Sequence, residues 1–327
     1  MTTPVSVGLF LDLRNPAPWH VPSDRLLART VDVVRHAEAL GADCVWSTEH
    51  HLFGDGYLGQ PLTFAAVLAA RTERVRIGTG VLVAPLRHPR HIAEEAALVD
   101  AVSGGRLELG LGAGYAAAEF AAFGADRARR FAATDAAFCE VQRLLATDGL
   151  GPGPVQHPFP MWLGYQGPQG AARAGRLGAG LLTLNRASLE PYRTALRERG
   201  QPEDTARMGG SVDLIVSLDP ERAWERIKPH YAHQARSYLR AREPAAEVPE
   251  AALTSRFGAT RRGLASVRLS VLTPDEAVAE ISERIDGMPV AHIYTWASIA
   301  NMPHDLVDEH VELLFRAVAP RLRQAGD

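Results

Sequence analysis

The feature that most constrains the fold of this chain is an alternation of short apolar segments with longer amphipathic ones, which recurs eight times. The short segments have the length and composition of buried strands, and the longer ones carry apolar residues at helical spacing. Strand followed by helix, repeated along a chain, implies a parallel sheet with helical crossovers. The predicted strands lie at 5–11, 42–47, 75–83, 106–114, 160–165, 179–184, 210–218 and 290–296.

The chain length favours one arrangement of these units. Eight units in 327 residues indicate an α/β fold of the closed (β/α)8, or TIM-barrel, type with one insertion, because that barrel needs only about 250 residues. An open doubly wound sheet is the alternative. Residues 221–265 interrupt the alternation after the seventh strand with helical pieces and a charged, proline-containing middle. We therefore expect one domain, 1–327, in which 221–265 form an insertion that acts as a lid.

Charge and cysteine content exclude several classes of partner. The formal net charge is −3, so no basic surface is expected to attract nucleic acid or anionic lipid. No apolar run is long enough to span a bilayer, and the first residues lack the pattern of a signal peptide. Cys44 and Cys139 are too few for a disulfide framework or a cysteine-rich metal site, which favours a cytoplasmic protein.

The stretch WSTEHHLFGDGYLGQP, residues 46–61, places a carboxylate and two adjacent histidines at the end of the second strand. Active sites of (β/α)8 barrels lie at such strand ends. Side chains alternate along an extended chain, so Glu49 and His51 should face one way and His50 the other. No converging set of ligands completes a metal shell, and either histidine could simply pack beneath the mouth of the barrel. We prefer hydrogen bonding or proton transfer by at least one imidazole, because imidazole changes charge near neutral pH.

A glycine-rich turn follows the fifth strand in LGYQGPQGAARAG, residues 163–175. The first amides of the helix that begins there lack partners within the helix, and the helix dipole favours an anion. The turn could cradle a phosphate, although it is neither a Walker loop nor a dinucleotide fingerprint, and glycines that only permit a tight turn are an equal alternative. The candidate phosphate contacts are Gln166, Gly167, Gln169 and Gly170.

Several motifs then occur in the order in which one enzyme family carries them. EHH follows strand two, and RIGTGVLVAPLRHP covers strand three and its end. AEEAALVDAVSGGRLELGLGAGY and EFAAFG come next, then arginines before a long helix, and finally TPDEAVAEI and HVELLFRAVAPRLR. Each motif alone is weak, but the ordered set is specific. Through most of its length the chain resembles the bacterial luciferase-like, flavin-dependent monooxygenases.

The resemblance implies a (β/α)8 barrel with an insertion after strand seven, and reduced FMN that a separate reductase supplies. It implies that His50 is the catalytic histidine, that His51 is its neighbour and that Glu49 is among the cofactor contacts. The flavin ring would lie against Gly80 and Val81, where relatives often have a non-proline cis peptide. The phosphate would lie at the turn after the fifth strand.

The turn after strand four departs from the family pattern. Bacterial luciferase has a cysteine and an arginine where this chain has Gly112 and Ala113, which are kept here as candidate cofactor contacts. One phosphate contact is therefore missing, or it is supplied by Arg130, at the start of the next long helix, or by another arginine. Glutamines and glycines also replace hydroxyl residues of the phosphate turn, and these departures argue against light emission.

The activity that the resemblance implies is oxygenation of a small organic substrate. Reduced FMN would react with O2 to give a C4a-peroxyflavin, and the protein would orient it and exclude water. His50, together with His51, would hydrogen-bond the peroxide or move a proton. Aromatic side chains at the strand ends would shield the adduct, or would equally be ordinary core. These candidate pocket residues are Phe10, Trp46, Tyr57 and Trp296.

Two other functions stay open at this point. The turn at 163–175 also resembles that of F420-dependent oxidoreductases on the same barrel, although EHH favours FMN. A catalytically silent flavin-binding subunit is the third possibility. Relatives commonly dimerise, and the apolar helices predicted at 61–71 and 91–102 would permit a homodimer.

Overall fold

Eight parallel strands close into a barrel, which confirms the predicted (β/α)8 fold. The protein is represented by a computed structural model that describes residues 5–147, 149–243, 247 and 269–324. The strands are β1 (Ser6–Leu11), β2 (Cys44–Ser47), β3 (Arg76–Thr79), β4 (Leu82–Val83), β5 (Leu107–Gly112), β6 (Met161–Leu163), β7 (Gly180–Leu182), β8 (Met208–Ser211), β9 (Leu214–Val216), β10 (Ser270–Leu272) and β11 (Val290–Trp296). Around the barrel the order is β1, β2, β3, β5, β6, β7, β8 and β11, which returns to β1.

Helices connect the strands and cover the outside of the barrel. They are α1 (Ser23–Ala39), α2 (Pro61–Arg71), α3 (Pro89–Ser103), α4 (Ala117–Ala122), α5 (Arg130–Leu145), α6 (Gly167–Leu177), α7 (Leu189–Glu198), α8 (Pro220–Arg242), α9 (Pro274–Ile285), α10 (His304–Leu313) and α11 (Ala319–Gln324). Proline begins four of these helices, α2, α3, α8 and α9, because its fixed φ suits a first turn. The strands read as continuous apolar runs because helices bury one face and the barrel interior the other.

Arg106 lies at the N-terminal end of the barrel, directly before β5. Its side chain donates five hydrogen bonds, four of them to backbone carbonyls and one to Thr72 Oγ1. Those carbonyls belong to the end of α2, the turn after it and the end of α3. The residue therefore closes the bottom of the barrel, far from the strand ends where chemistry is expected.

Two predicted strands are interrupted in the structure. The strand predicted at 75–83 becomes β3 and β4, which are separated at Gly80–Val81 by a cis peptide bond. The strand predicted at 210–218 becomes β8, which stays in the barrel, and β9, which leaves it to pair in parallel with β10. The prediction of one seventh strand was wrong because β9 takes its partner from 270–272, far along the chain.

The predicted insertion begins as one long helix. The sequence predicts helical pieces from 221, whereas α8 runs unbroken from Pro220 to Arg242 and includes Pro229. The side chain of Asp219 caps its first turn by accepting from the backbone N–H of Arg222. Residues 244–246 and 248–265 of the predicted insertion lie outside the described residues. No helix in the described ranges is long and apolar enough to cross a membrane.

Candidate active site

The EHH turn lies directly after β2, at the C-terminal ends of the barrel strands, which we call the barrel mouth. As alternation predicts, Glu49 and His51 lie together, with Glu49 Oε1 2.8 Å from His51 Nε2. Glu49 also accepts from the Arg87 guanidinium, and its Oε2 accepts from the backbone N–H of Val83 at 2.9 Å. Glu49 is buried with both oxygens engaged. It therefore fastens the end of β2 to β4, and its contact with a cofactor stays a prediction.

His50 points the other way and meets a second buried carboxylate. Its Nδ1 is 2.9 Å from Oε1 of Glu119, which comes from α4 and is fully buried. The same oxygen accepts from the backbone N–H of His51 at 2.7 Å. On the opposite side of the ring, Nε2 of His50 is 3.2 Å from the hydroxyl of Tyr115, which follows β5. Both imidazole nitrogens are therefore held in fixed directions.

Aromatic rings surround His50. Phe53 stacks on the imidazole at a centroid distance of 4.3 Å, and Tyr57, Tyr115 and Tyr238 present edges or tilted faces at 5.0, 5.2 and 5.8 Å. The hydroxyls of Tyr57 and Tyr238 are 2.7 Å apart. Tyr57 is thus beside the catalytic candidate, as the sequence suggests, whereas Tyr238 belongs to α8. The insertion therefore contributes a wall of this site.

A buried arginine links that wall to the strand ends. The Arg14 guanidinium lies between the rings of Tyr57 and Tyr238, 4.1 and 4.2 Å from their centroids. It pairs with Asp12 at 2.5 Å and with Asp55 at 2.9 Å. Burial opposes the charge of Arg14, but the neighbouring Asp12, both tyrosines and Asp55 raise its pKa well above the usual value. The cation is therefore permanent.

Asp55 also anchors α8. Its Oδ2 lies 3.0 Å from His233 Nε2 and 3.0 Å from Ser237 Oγ, both on α8. Burial opposes ionisation of Asp55, but the hydrogen bond from His233 and the charge of Arg14 lower its pKa. One carboxylate thus joins the β2–α2 loop, the β1 end and the insertion helix.

The cis peptide at Gly80–Val81 forms part of the barrel mouth, at the strand end where the resemblance implies one. Both residues are partly exposed. Methyl groups of Val81 lie so close to Gly112 and Gly164 that a Cβ on either glycine would be 2.2 or 2.5 Å from them. Gly112 therefore supports Val81 from below, and Ala113 beside it is buried. The part of the barrel mouth exposed here consists of Gly80 and the Val81 side chain.

The predicted phosphate turn begins α6 as expected. Gly167 has φ +72°, and no side chain caps the first amides of the helix. A Cβ on Gly170 would lie 2.8 Å from Tyr165, so glycine lets the first turn approach the end of β6. Gln166 and Gln169 are exposed, and Thr183 Oγ1 donates to Gln166 Oε1 at 3.2 Å.

Arg130 reaches the same region from α5. Its guanidinium lies 4.5 Å from the ring centroid of Phe131, and that ring is 5.8 Å from the ring of Tyr165, which precedes α6. Nη1 donates to the Arg127 carbonyl, and Nε is buried without a partner. The backbone amides of α6 and this cation together suit an anionic group.

The other predicted aromatic pocket residues divide into two groups. Phe10 and Trp296 stack at 4.4 Å at the ends of β1 and β11, and Trp296 Nε1 donates to Asp213. Trp46 is fully buried and stacks on Tyr294 at 5.1 Å inside the barrel. It packs the floor beneath Gly80 and does not line an open pocket, because its position on β2 points inward. Among the described residues, no three His, Cys, Asp or Glu side chains are grouped so that they could hold a metal ion.

Comparison with known proteins assigns the chain to a family. Residues 5–286 match the family model described as luciferase-like monooxygenase. The chain belongs to the luciferase-like monooxygenase family. This assignment agrees with the resemblance seen in the sequence.

Two curated relatives match part of the chain. Limonene 1,2-monooxygenase of Rhodococcus erythropolis is 30% identical over 248 residues, which are 67% of this chain and 63% of the relative. The oxygenase component of a flavin-dependent trigonelline monooxygenase of Acinetobacter baylyi is 35% identical over 29% of this chain and 27% of the relative. The matches thus span less than two thirds of these relatives.

Solved structures show the same fold. A monooxygenase from Streptomyces bottropensis aligns with TM-score 0.80 and 24% identity over 97% of this chain and 99% of its own. An F420-dependent secondary alcohol dehydrogenase aligns with TM-score 0.73 and 19% identity over 98% and 99%. The oxygenating constituent of a Pseudomonas putida 3,6-diketocamphane monooxygenase, in complex with FMN, aligns with TM-score 0.71 and 14% identity over 98% and 99%.

Sequence reasoning missed several residues that the luciferase-like barrel brings to His50. Glu119 stands in the EFAAFG motif and Tyr115 ends GLGAGY, so both were visible as motif residues without a role. Arg14 could have been suspected from a charged DLR triplet directly after an apolar strand. Tyr238 carried no signal, because only the docking of α8 brings it near the EHH turn.

Proposed function

We propose that this protein is an FMN-dependent monooxygenase that receives reduced FMN from a separate reductase and uses O2 to oxidise a small organic substrate. The observation that carries the proposal is the placement of His50, hydrogen-bonded on both ring nitrogens, at the same barrel mouth as the partly exposed Gly80 and Val81. FMN, when bound, supplies the activation of oxygen. The protein binds it, orients it and handles protons.

The residues fit such a cofactor. The uncapped first turn of α6 and Arg130 would hold the phosphate through backbone amides and one positive charge. The contacts we propose there are Gln166, Gly167, Gln169 and Gly170. Gly80 and Val81 would support the ring, because both are partly exposed and Val81 is held in place by its close packing on Gly112 and Gly164. His50 would then take part in proton transfer, and Glu49 would hold His51 on the opposite side of the turn.

The other features of the site indicate how water is excluded. Tyr238 closes one side of the His50 pocket, so α8 would serve as the fixed base of the lid predicted for the insertion. Phe10 and Trp296 would line the substrate side. A cavity of about 480 Å³ reaches Tyr57 from between the β1–α1 and β2–α2 loops. Among the described residues that line it, none is Asp, Glu, Lys or Arg, so we propose a neutral substrate.

Two partners follow from the proposal. The trigonelline relative is named an oxygenase component and the camphane neighbour an oxygenating constituent, which supports a separate flavin reductase. A homodimer is supported by exposed apolar side chains on adjacent helices, Val67 on α2 and Leu98 and Val102 on α3.

F420 is the second candidate cofactor, because an F420-dependent dehydrogenase has the same fold over nearly the whole chain. Anaerobic titration of the protein with reduced FMN and, separately, with reduced F420 distinguishes the two. We expect reduced FMN to bind. After air is admitted, limonene and decanal are tested as substrates that accept oxygen. Binding of F420 alone would replace the proposal, and binding of FMN without turnover of any acceptor would indicate a silent flavin-binding subunit.

The role of His50 is tested in the same assay. His50→Ala is expected to keep FMN binding and to lower product yield by about 10²-fold or more, as for loss of a positioned acid–base group. His304→Ala, on the first turn of α10 and outside the site, is the control. An unchanged yield in His50→Ala would remove His50 from the mechanism.

A further inference from the structure

Three side chains form one hydrogen-bonded chain that leads from the core to the barrel mouth. Glu119 is fully buried, His50 is 8% exposed, and Tyr115 is partly exposed. The links are Glu119 Oε1 to His50 Nδ1 at 2.9 Å and His50 Nε2 to the Tyr115 hydroxyl at 3.2 Å. The phenol, and not the imidazole, is therefore the outermost member of the chain.

A second contact of Glu119 fixes the direction in which the protons point. Its Oε1 accepts from the backbone N–H of His51 at 2.7 Å, so this oxygen serves as an acceptor toward Nδ1 as well. Neutral His50 then carries its ring proton on Nδ1 and leaves Nε2 as an acceptor. The Tyr115 hydroxyl donates to Nε2, and the free lone pair of its oxygen is directed away from His50.

We propose that Tyr115 is a catalytic residue that exchanges a proton with the reacting oxygen-bearing group, and that His50 and Glu119 act behind it as a relay. The proposal rests on the proposed monooxygenase function. As the Tyr115 oxygen takes a proton from the reacting group, the Tyr115 O–H bond breaks and an N–H bond forms at Nε2 of His50. The imidazolium that results faces Glu119, and the reverse transfers restore the starting state without oxidation or reduction.

The insertion helix completes this arrangement. The Arg242 guanidinium, at the end of α8, lies 4.8 Å from the ring centroid of Tyr115. A cation over the ring favours negative charge that develops on the phenol oxygen during transfer. Tyr238, from the same helix, closes the pocket at 5.8 Å from His50. Glu119 is a positioning residue in this scheme, because it acts only through His50.

The first test reads the protons directly and needs no cofactor. In protein labelled with ¹⁵N-histidine, with His50 assigned from the His50→Gln variant, neutral His50 should show a protonated Nδ1 and an unprotonated Nε2. Tyr115→Phe should shift the Nε2 resonance and leave Nδ1 protonated. Tyr231→Phe removes a phenol hydroxyl elsewhere, on α8, and should shift neither. A protonated Nε2 in the unmodified protein would overturn the relay.

The second test measures proton transfer through Tyr115, with FMN as the probe. The protein with reduced FMN is mixed with air-saturated buffer in the absence of an organic substrate, and H2O2 release is followed. Tyr115→Phe should slow release about tenfold or more, because loss of a positioned acid–base group costs about 10²–10⁴-fold in rate. The Kd for reduced FMN should not change. Release at the unmodified rate from Tyr115→Phe would refute the catalytic assignment.

Glu119→Gln separates positioning from packing. The amide oxygen can keep both acceptor contacts, so the fold and the Nδ1 tautomer should survive while H2O2 release slows because the imidazolium loses its charged neighbour. Glu190→Gln, at an exposed residue on α7, should behave as the unmodified protein. Unchanged release in Glu119→Gln would show that Glu119 is only structural. Failure of FMN to bind at all would instead defeat the proposed function, and the histidine spectra would still decide whether the relay exists.

Discussion

At the scale of single residues, glycines determine the shape of the barrel mouth. Gly112 lies beneath Val81, and Gly110 and Gly78 make similar close approaches to Thr79 and Trp46. Each allows a neighbour to come closer than a Cβ would permit. The positions of Val81, Thr79 and Trp46 therefore require glycine at these three sites. The glycines that stand where bacterial luciferase has larger residues are therefore part of the architecture of this site.

Gly112→Ala should consequently be destabilising. The added Cβ would lie 2.2 Å from Val81 Cγ2, and overpacking of this kind costs about 1–3 kcal/mol. Chemical denaturation should show that loss, and FMN binding should weaken because Val81 is displaced. Gly151→Ala is the control, since nothing lies within 4 Å of a Cβ there. If Val81→Ala does not restore stability to the Gly112→Ala protein, the clash is not the cause.

The residues around His50 also show where inference from sequence ends. The EHH turn, the glycine turn after strand five and the strand-three end were identified from local patterns. Glu119 is 69 positions from His50 and Tyr238 is on a helix from the insertion. Such contacts depend on which loops fold toward each other, and no local pattern encodes that. The contacts of Glu49 with Val83 and Arg87 were likewise not foreseen, because both partners lie beyond a different strand.

At the scale of elements, hydrophobic periodicity predicts well where strands and helices occur and which of the two a segment forms. It does not predict which strands pair with each other. The eight strands and most helix bounds follow from apolar spacing and from prolines at helix starts. The seventh strand was predicted to be continuous because β8 and β9 have the same composition. Their different partners, β11 for one and β10 for the other, are set by tertiary structure.

The docking of α8 is an element-scale property that can be tested. Asp55→Asn removes the buried charge that faces Arg14 and His233, and hydrogen bonds to charged groups contribute about 1.5–3 kcal/mol. Hydrogen exchange of the backbone amides near 233–238 should therefore become faster, while those of β1 and β2 change little. The reason is that Asp55 holds α8 through both His233 and Ser237.

A matched control exists on the same helix. Arg226 of α8 forms a two-pronged pair with Asp305 at 2.6 and 2.7 Å, but the aspartate side chain is 64% exposed. Exposed pairs contribute only about 0.2–1 kcal/mol, so Asp305→Asn should leave α8 exchange nearly unchanged. If hydrogen exchange of the α8 amides becomes equally faster in both variants, Asp55 has no special part in docking α8.

At the scale of the whole molecule, a buried histidine makes stability depend on pH. His310 on α10 is fully buried, its Nδ1 accepts from the backbone N–H of Val216 at 2.9 Å, and its Nε2 is 3.2 Å from Thr295 Oγ1. Burial lowers its pKa from 6.5 to about 3. Helix α10 is thereby fastened to β9 and β11 through a ring that must stay neutral.

The sign of this effect follows from proton binding. Between pH 6.5 and about 3, the unfolded chain binds a proton on His310 that the folded chain does not. This contribution to the free energy of unfolding is complete above pH 6.5 and falls by up to about 1.4 kcal/mol per pH unit below it. His310→Asn, which keeps an acceptor near Nδ1, should flatten urea-unfolding stability across that window. An exposed control, His20→Asn, should retain the full slope of unfolding free energy against pH. An unchanged slope in His310→Asn would contradict the assignment of this pH dependence to His310.

The proposed homodimer depends on an apolar surface that the barrel itself does not use. Val67, Leu98 and Val102 are 44%, 51% and 50% exposed on the adjacent helices α2 and α3, and a second copy of the chain would remove them from water. Leu98→Glu should convert the dimer to a monomer in light scattering, because a buried unpaired carboxylate costs several kcal/mol. Leu218→Glu introduces the same charge at a side chain that is 72% exposed outside these helices and should leave the dimer intact. If the unmodified protein is monomeric at micromolar concentration, or if both variants dimerise equally, then α2 and α3 are not the interface.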